Sequence, residues 1–307
     1  MPQSVPAWKA ELILLGITFI WAGTFVVVKG IIAHISPFLF IGLRFLLATV
    51  GLLILWHGSF HRWEVTALRH GGILGILLAG GFLLQTAGLL YTTASRSAFI
   101  TGTTLALVPG FQLLFQHRRI SGWEWLGAGM TLVGLWQLTA PSLEGWNLGD
   151  VLTILSTLFW GLYIVALDSF TRSGSSALGY SLRLTFVQLA VTALAGFAAY
   201  GIAAAAGSPA FPLHPNWSFL PALLLALAYT AFLASLTAML LQTHYQRYTT
   251  PFRATLIYAL EPLIASVIAW IALSEHFTVR ELFGAALILV GTGLAQLPRV
   301  RYVAAQR

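Results

Sequence analysis

Ten apolar blocks, each about as long as a membrane-crossing helix, run through the chain with only short connections between them. A helix needs about 20 apolar residues to cross a bilayer. On that length the blocks fall near 8–32, 36–57, 71–92, 97–116, 122–140, 148–168, 177–206, 217–243, 251–273 and 279–297. Only 8% of the 307 residues are charged and 58% are hydrophobic, whereas a soluble domain carries about 25% charge. Alternating segments of about 10 residues, the mark of a membrane barrel, do not occur. The expected fold class is therefore all-α: a polytopic membrane protein of ten transmembrane helices. The first apolar run, 12–28, is too long for a signal-peptide core and lacks a small-residue cleavage site, so it is expected to remain as the first helix. No segment is long and polar enough for a soluble domain. Function must lie among the helices or at their mouths.

The net charge of +7 would suit nucleic acid, but no basic, aromatic-interleaved soluble domain is present to bind it. Basic residues at membrane edges instead set orientation. With the N-terminus inside, eleven of the sixteen Lys and Arg fall on the cytoplasmic side. Three, Lys29, Arg96 and Arg280, fall outside, and Arg44 and Arg183 lie within spans. That bias predicts a multi-pass protein of the inner (cytoplasmic) membrane with both termini cytoplasmic. With no cysteine in the chain, disulfides and thiolate metal sites are excluded.

The chain repeats itself. A shift of 139 residues lays Trp21 on Trp160, Arg44 on Arg183, Glu11 on Asp150 and Lys29 on Asp168. A shift of 153 lays Leu107-Val108-Pro109 on Leu260-Glu261-Pro262. One of 157 lays Glu124, Gly127 and Gly134 on Glu281, Gly284 and Gly291. The expected units are residues 1–141 and 142–307, each with five helices. Five is odd, so the second unit enters the membrane from the opposite side. Such inverted-topology repeats recur in secondary transporters, where a site near the midplane opens alternately to either face.

Several stretches resemble the drug/metabolite transporter superfamily in its EamA-type branch. They include Trp21-Ala22-Gly23-Thr24-Phe25, Gly42-Leu43-Arg44-Phe45-Leu46-Leu47-Ala48, and Leu90-Tyr91-Thr92-Thr93-Ala94 leading to Pro109. In the second half they are Leu260-Glu261-Pro262-Leu263-Ile264, Ser274-Glu275 and Gly284-Ala285-Ala286-Leu287-Ile288-Leu289-Val290-Gly291. The first half departs from the pattern, with Gln116-His117-Arg118-Arg119 where a Glu like Glu275 commonly stands. The resemblance implies a secondary exporter of amino acids or related metabolites. Within it, the aromatic amino acid exporter subgroup fits the aromatic spans.

Glu261 lies near the centre of its span, where an acid costs about 2.5–3.5 kcal/mol on insertion scales. It is a candidate for proton coupling or for meeting a substrate amine, or else a hydrogen-bonded group at the Pro262 kink. Pro109 and Pro262 each remove a backbone hydrogen bond within a span. Arg44 lies well inside the second helix, placed to meet a carboxylate or to pair locally. Trp21 and Trp160 stand mid-helix, away from the interfacial belts where tryptophan gathers. With Tyr163, three residues after Trp160, and with Gln85, Thr101 and Tyr258, they are candidate substrate-binding groups. Lys29 reads as an exposed anchor at the outer end of the first helix. The glycine pairs of the fifth and tenth helices permit close packing and read as peripheral supports or as a dimer contact. His57 and His61 have a metal-compatible spacing but no third ligand, so no metal site is assigned.

The leading function is export of small amphipathic metabolites, foremost aromatic or apolar amino acids, by alternating access. Drugs, nucleobases or sugar conjugates remain alternative substrates. The chain carries no phosphate-binding loop of an ATPase motor, no His-Glu-x-x-His and no nucleophile elbow, so no enzyme and no cofactor is assigned. A non-transporting receptor or assembly factor is the competing class. The expected partners are a small-molecule substrate and the lipid bilayer, not nucleic acid, and the chain is compatible with a monomer.

Overall fold

The computed structural model describes residues 5–60, 63–139, 145–173, 178–207, 215–273 and 278–296. Every regular element among them is helical. In chain order the main helices are α1 (Ala7–Ile31), α2 (Pro37–Leu55), α3 (Val65–Gly88), α4 (Ala94–Gln116) and α5 (Gly122–Thr139). They continue with α6 (Leu148–Ser173), α7 (Leu178–Ala205), α8 (Leu220–Tyr248), α9 (segments Pro251–Tyr258 and Glu261–Leu273) and α10 (Val279–Gln296). All except α5 and α10 are long and apolar enough to cross a membrane, so the described residues provide eight such spans where ten were expected. α5 and α10, 18 residues each, both carry an acid in the first turn.

The residue distribution is that of a protein dissolved in lipid. Val26, Ile54, Leu114, Leu194, Ile202 and Leu225 are exposed, while Gln188, Thr192, Thr230, Ser235, Thr243 and Gln246 are fully buried. Lipid offers hydrogen bonds to none of these polar groups, so they must be satisfied inside. Gln188 takes the Tyr163 hydroxyl at 2.9 Å and donates to Thr243 at 2.9 Å, while Gln246 donates to the Ile164 carbonyl at 2.8 Å.

Helix packing obeys an exchange of the two halves. α3 packs on α6 and α7, and α8 packs correspondingly on α1 and α2; α4 packs on α6 as α9 packs on α1. α2–α7, α4–α9 and α5–α10 are each paired with their own counterpart. Contacts therefore gather into two three-helix groups, α3–α4–α6 and α8–α9–α1. Because lipid tails do not drive apolar helices together, close approach depends on small residues. A Cβ on Gly134 would stand 2.7 Å from the Gly284 carbonyl, and one on Gly291 would stand 2.6 Å from the Gly127 carbonyl. The glycine faces of α5 and α10 thus meet each other inside one chain, which removes them as a dimer contact.

The repeat register in α4 and α9 differs from the sequence expectation. Thr93 and Thr250 each cap a helix by accepting from the backbone N–H three residues on, that of Arg96 or Arg253. The capped segments end at Gly102 and Tyr258, and the next segments begin at Thr104 and Glu261. The caps and the starts of the second segments align at a shift of 157, the shift already seen for α5 and α10, and the segment ends come within one residue of it. The shift of 153 that superposes Pro109 on Pro262 is a slip of four residues, about one helical turn. Such a slip preserves most of an apolar pattern, which is why the Leu-x-Pro coincidence could mislead. Pro262 stands in the first turn of a new segment, where no N–H is needed. Pro109 lies inside the continuous segment Thr104–Gln116, one turn beyond the position equivalent to Pro262. Ser274, Glu275 and His61 lie outside the described residues.

Candidate functional site

Three spans are interrupted near mid-membrane, and the interruptions border one cavity. α1 breaks at Gly23, where the Thr24 hydroxyl donates to the Trp21 carbonyl at 2.8 Å. α4 breaks at Thr103, whose hydroxyl donates to the Ile100 carbonyl at 2.5 Å, and α9 breaks at Ala259–Leu260. Between the two helix groups these breaks leave a cavity of about 100 Å³, several times the minimum that accommodates one water.

The structure brings Trp21, Gln85, Thr101, Trp160, Tyr163, Tyr258, Arg44, Glu261 and Pro262 to the wall of this cavity. Of the candidates named from sequence, only Pro109 stands away from it. One wall comes from α1 and α9, where Trp21 and Tyr258 meet edge-on with ring centres 5.3 Å apart. The facing wall comes from α3 and α6, where Phe82 meets Trp160 at 4.8 Å and Trp160 meets Tyr163 at 6.3 Å. Edge-to-face packing holds each ring in one orientation. The Tyr258 hydroxyl donates to Gln246 Oε1 at 3.2 Å and the Tyr163 hydroxyl to Gln188, so both rings are anchored from behind. Gln85 Nε2 donates to Thr101 Oγ1 at 2.8 Å, and that hydroxyl donates to the Ser97 carbonyl at 2.8 Å. This leaves the Gln85 carbonyl as the acceptor on that wall.

The two charged groups have no ionic partner among the described residues. Arg44 is only 2% exposed. Its Nε donates to Ser235 Oγ at 2.8 Å, and its guanidinium carbon lies 4.7 Å from the ring centre of Phe82 and 5.2 Å from that of Phe45. A guanidinium over ring faces gains cation–π energy, but its outer nitrogens still lack an anion. Glu261 opens the second segment of α9, at a helix N-terminus that favours negative charge. Tyr229 sits where it feels the charge of both Arg44 and Glu261. A cation and an acid on the wall of one cavity, neither with a counter-ion among the described residues, suit a guest carrying both signs.

Sequence reasoning missed Phe25, Phe82, Thr24, Thr255 and Gln242, all on the wall. Gln242 was findable as an amide inside an apolar span. Nothing local distinguishes Phe82 from the lipid-facing phenylalanines. Lys29, expected as an exposed anchor, instead donates from Nζ to the carbonyls of Leu89 and Thr92, the latter at 2.8 Å. His57 lies within 3.4 Å of the Ile54 carbonyl.

The description "EamA-like transporter family" matches residues 8–140 and 147–296, one match for each half. An uncharacterized transporter of Archaeoglobus fulgidus is 30% identical over 96% of this chain and 88% of its own length. A second uncharacterized transporter of that organism is 25% identical over 93% of this chain and 96% of its own. A protein known from a crystal structure has a TM-score of 0.72 at 17% identity, covering 94% of this chain and 98% of that one. At that identity the likeness concerns the fold alone.

Proposed function

Because this chain belongs to the EamA-like transporter family, we propose that the central cavity is the substrate site of a secondary exporter of amino acids with aromatic or apolar side chains. The observation that carries this reading is the pair Arg44 and Glu261, both on the cavity wall and neither with an ionic partner among the described residues. The substrate carboxylate meets the Arg44 guanidinium in a charge-assisted hydrogen bond. Its ammonium meets Glu261, and its side chain packs between the Trp21–Tyr258 and Phe82–Trp160 walls. Glu261 is also the group through which proton movement is coupled to export. Residues 1–141 and 142–307 act as the two inverted units of an alternating-access cycle, with α5 and α10 completing ten crossings of the inner membrane.

A counterflow screen with purified protein in liposomes tests the substrate class. Labelled phenylalanine, tryptophan and leucine should exchange, while glucose and uridine should not. Exchange of the sugar or nucleoside in preference to every amino acid would reject the reading. Orientation is tested separately in the cysteine-free chain. Trp146→Cys and Asn216→Cys should label from outside intact cells, and Trp63→Cys should not.

A further inference from the structure

The two helix groups are tied together at both faces of the molecule, and the ties are built from a repeated motif. The near face is the side on which α1 begins, and the far face is the opposite side. Thr92-Thr93-x-x-Arg96 opens α4 at the far face, and Thr249-Thr250-x-x-Arg253 opens α9 at the near face, again at a shift of 157. At the far face the Thr92 hydroxyl donates to Asp150 at 2.8 Å, and Arg96 pairs with the same acid at 2.8 Å. At the near face the Thr249 hydroxyl donates to Glu11 at 3.0 Å, and Arg253 stands 3.8 Å from it. Each Thr–acid–Arg set lies inside one group: Asp150 is on α6 beside α4, and Glu11 is on α1 beside α9. Each set therefore holds its threonine carbonyl in place for a cation from the other group.

Those cations are Lys29 and Arg172. Lys29, near the end of α1, donates to the carbonyls of Thr92 and Leu89 in the opposite group. Arg172, near the end of α6, donates to the Thr249 carbonyl at 2.5 Å and is itself held by Asp168 at 2.7 Å. Gln116 braces that acid at 3.1 Å. The near face has a second tie running the other way, from Arg247 of α8 to the Thr171 carbonyl of α6. The far face thus depends on a flexible ammonium bound to two neutral carbonyls, whereas the near face has two guanidiniums, one of them braced by an acid. The cavity lies between the two ties: Phe25, Gln85 and Thr101 line it from the far halves of their helices, and Gln242, Thr255 and Tyr258 from the near halves.

We propose that Lys29 is the latch of the far mouth: its ammonium on the Leu89 and Thr92 carbonyls bridges the two helix groups, and its release opens the cavity to that face. Arg172 and Arg247 form the opposing near-face latch, and transport requires the two to open in turn. The proposal rests on the cavity being the transport path, but not on which substrate it carries.

Thiol labelling reads the latch without a substrate. Thr101→Cys, introduced into the full-length cysteine-free chain in membrane vesicles, reports access to the cavity from either side with a charged, membrane-impermeant methanethiosulfonate. Lys29→Met keeps the hydrocarbon stem and removes the ammonium. It should speed labelling from the far face at least fivefold, while Lys29→Arg stays within twofold of wild type. Arg172→Met should instead speed labelling from the near face and slow it from the far face. Asn216→Cys, outside the cavity, should label at one rate in every background and so reports correct insertion. Should Lys29→Met not insert, the same rates are read in Lys29→Gln, expected at two- to fivefold. Unchanged far-face labelling on loss of the ammonium, or an equal rise in Lys29→Arg, would overturn the assignment. Failure of the amino acid screen would leave these rates untouched.

Discussion

Trp21 and Trp160 occupy equivalent positions in the two halves, yet their indoles live differently. Trp21 Nε1 donates to the Ala234 carbonyl at 2.9 Å. Ala234 lies in a π-helical stretch of α8, Tyr229–Thr237, and π turns are uncommon features often found at functional sites. Trp160 faces α3, the counterpart of α8, where the helix is regular and Gly81 makes room for the ring, as Gly80 does for the neighbouring Phe159. A Cβ on Gly81 would stand 2.9 Å from the Trp160 indole. Its N–H is buried with no hydrogen-bond partner among the described residues. α1 is broken at Gly23 and fastened to α8 just before the break, by Trp21 and by the Tyr229 hydroxyl on the Ile20 carbonyl. α6 is continuous, and its Trp160 makes no such bond to α3 among the described residues. A repeated sequence thus adopts two geometries at once. A transporter in one of its end states has that property, because exchanging the two geometries between halves reverses the direction in which the site opens.

The charge difference between the halves should produce the largest effect. Glu261 opens the second segment of α9 where Thr104 opens that of α4, so only one half has an acid there. Glu261→Gln is expected to retain substrate counterflow and to lose tenfold or more of the uptake driven by an imposed pH gradient. Undiminished gradient-driven uptake would leave Glu261 a packing residue and remove this asymmetry from the mechanism.

Truncating the two tryptophans asks whether the walls share one substrate. Trp21→Ala and Trp160→Ala should each reduce counterflow of tryptophan several-fold more than that of alanine, with expression kept. A uniform loss across substrates together with poor expression would assign the rings to helix packing.

The glycine notches should respond unequally. Gly81→Val meets a ring wedged against Phe82, whereas Gly23→Val meets the Tyr229 hydroxyl at 2.8 Å, the tip of a side chain that can yield. Overpacking costs about 1–3 kcal/mol, so Gly81→Val should lower the melting temperature by several degrees and Gly23→Val by less. Equal shifts would contradict the difference in packing.

The smallest effect concerns the indole N–H groups themselves. Trp21→Phe leaves the Ala234 carbonyl without its lateral donor, a loss of about 1 kcal/mol. Trp160→Phe removes a donor that has no acceptor among the described residues, so melting should change less than for Trp21→Phe. A larger loss at Trp160 would show that its N–H is bonded in the populated state.

Much of the molecule was legible because a bilayer is a demanding solvent. Satisfying every backbone group inside hydrocarbon forces long apolar helices, and those blocks, the repeat and the mid-span Trp21, Trp160 and Glu261 can be read directly from the letters. Register was less secure: in α4 and α9 an apolar pattern tolerates a one-turn slip, and Thr93 and Thr250 decided it through their caps.

What the sequence determined by itself was the all-helical class, the repeat and the polar residues that could not face lipid, while the described residues provide eight membrane-length apolar helices where ten were expected. Only the tertiary structure decided which of those polar residues share a cavity. Facing depends on how ten helices rotate against each other, which is set by notches such as Gly81 and by hydrogen bonds spanning more than a hundred residues, from Trp21 to Ala234 and from Arg44 to Ser235. The same long-range packing turned Lys29 from an apparent surface anchor into a bridge between helix groups. It also expressed the asymmetry of the two halves, because related helices with different residues at the break, Gly23 against Leu162, meet different neighbours and settle into different turns.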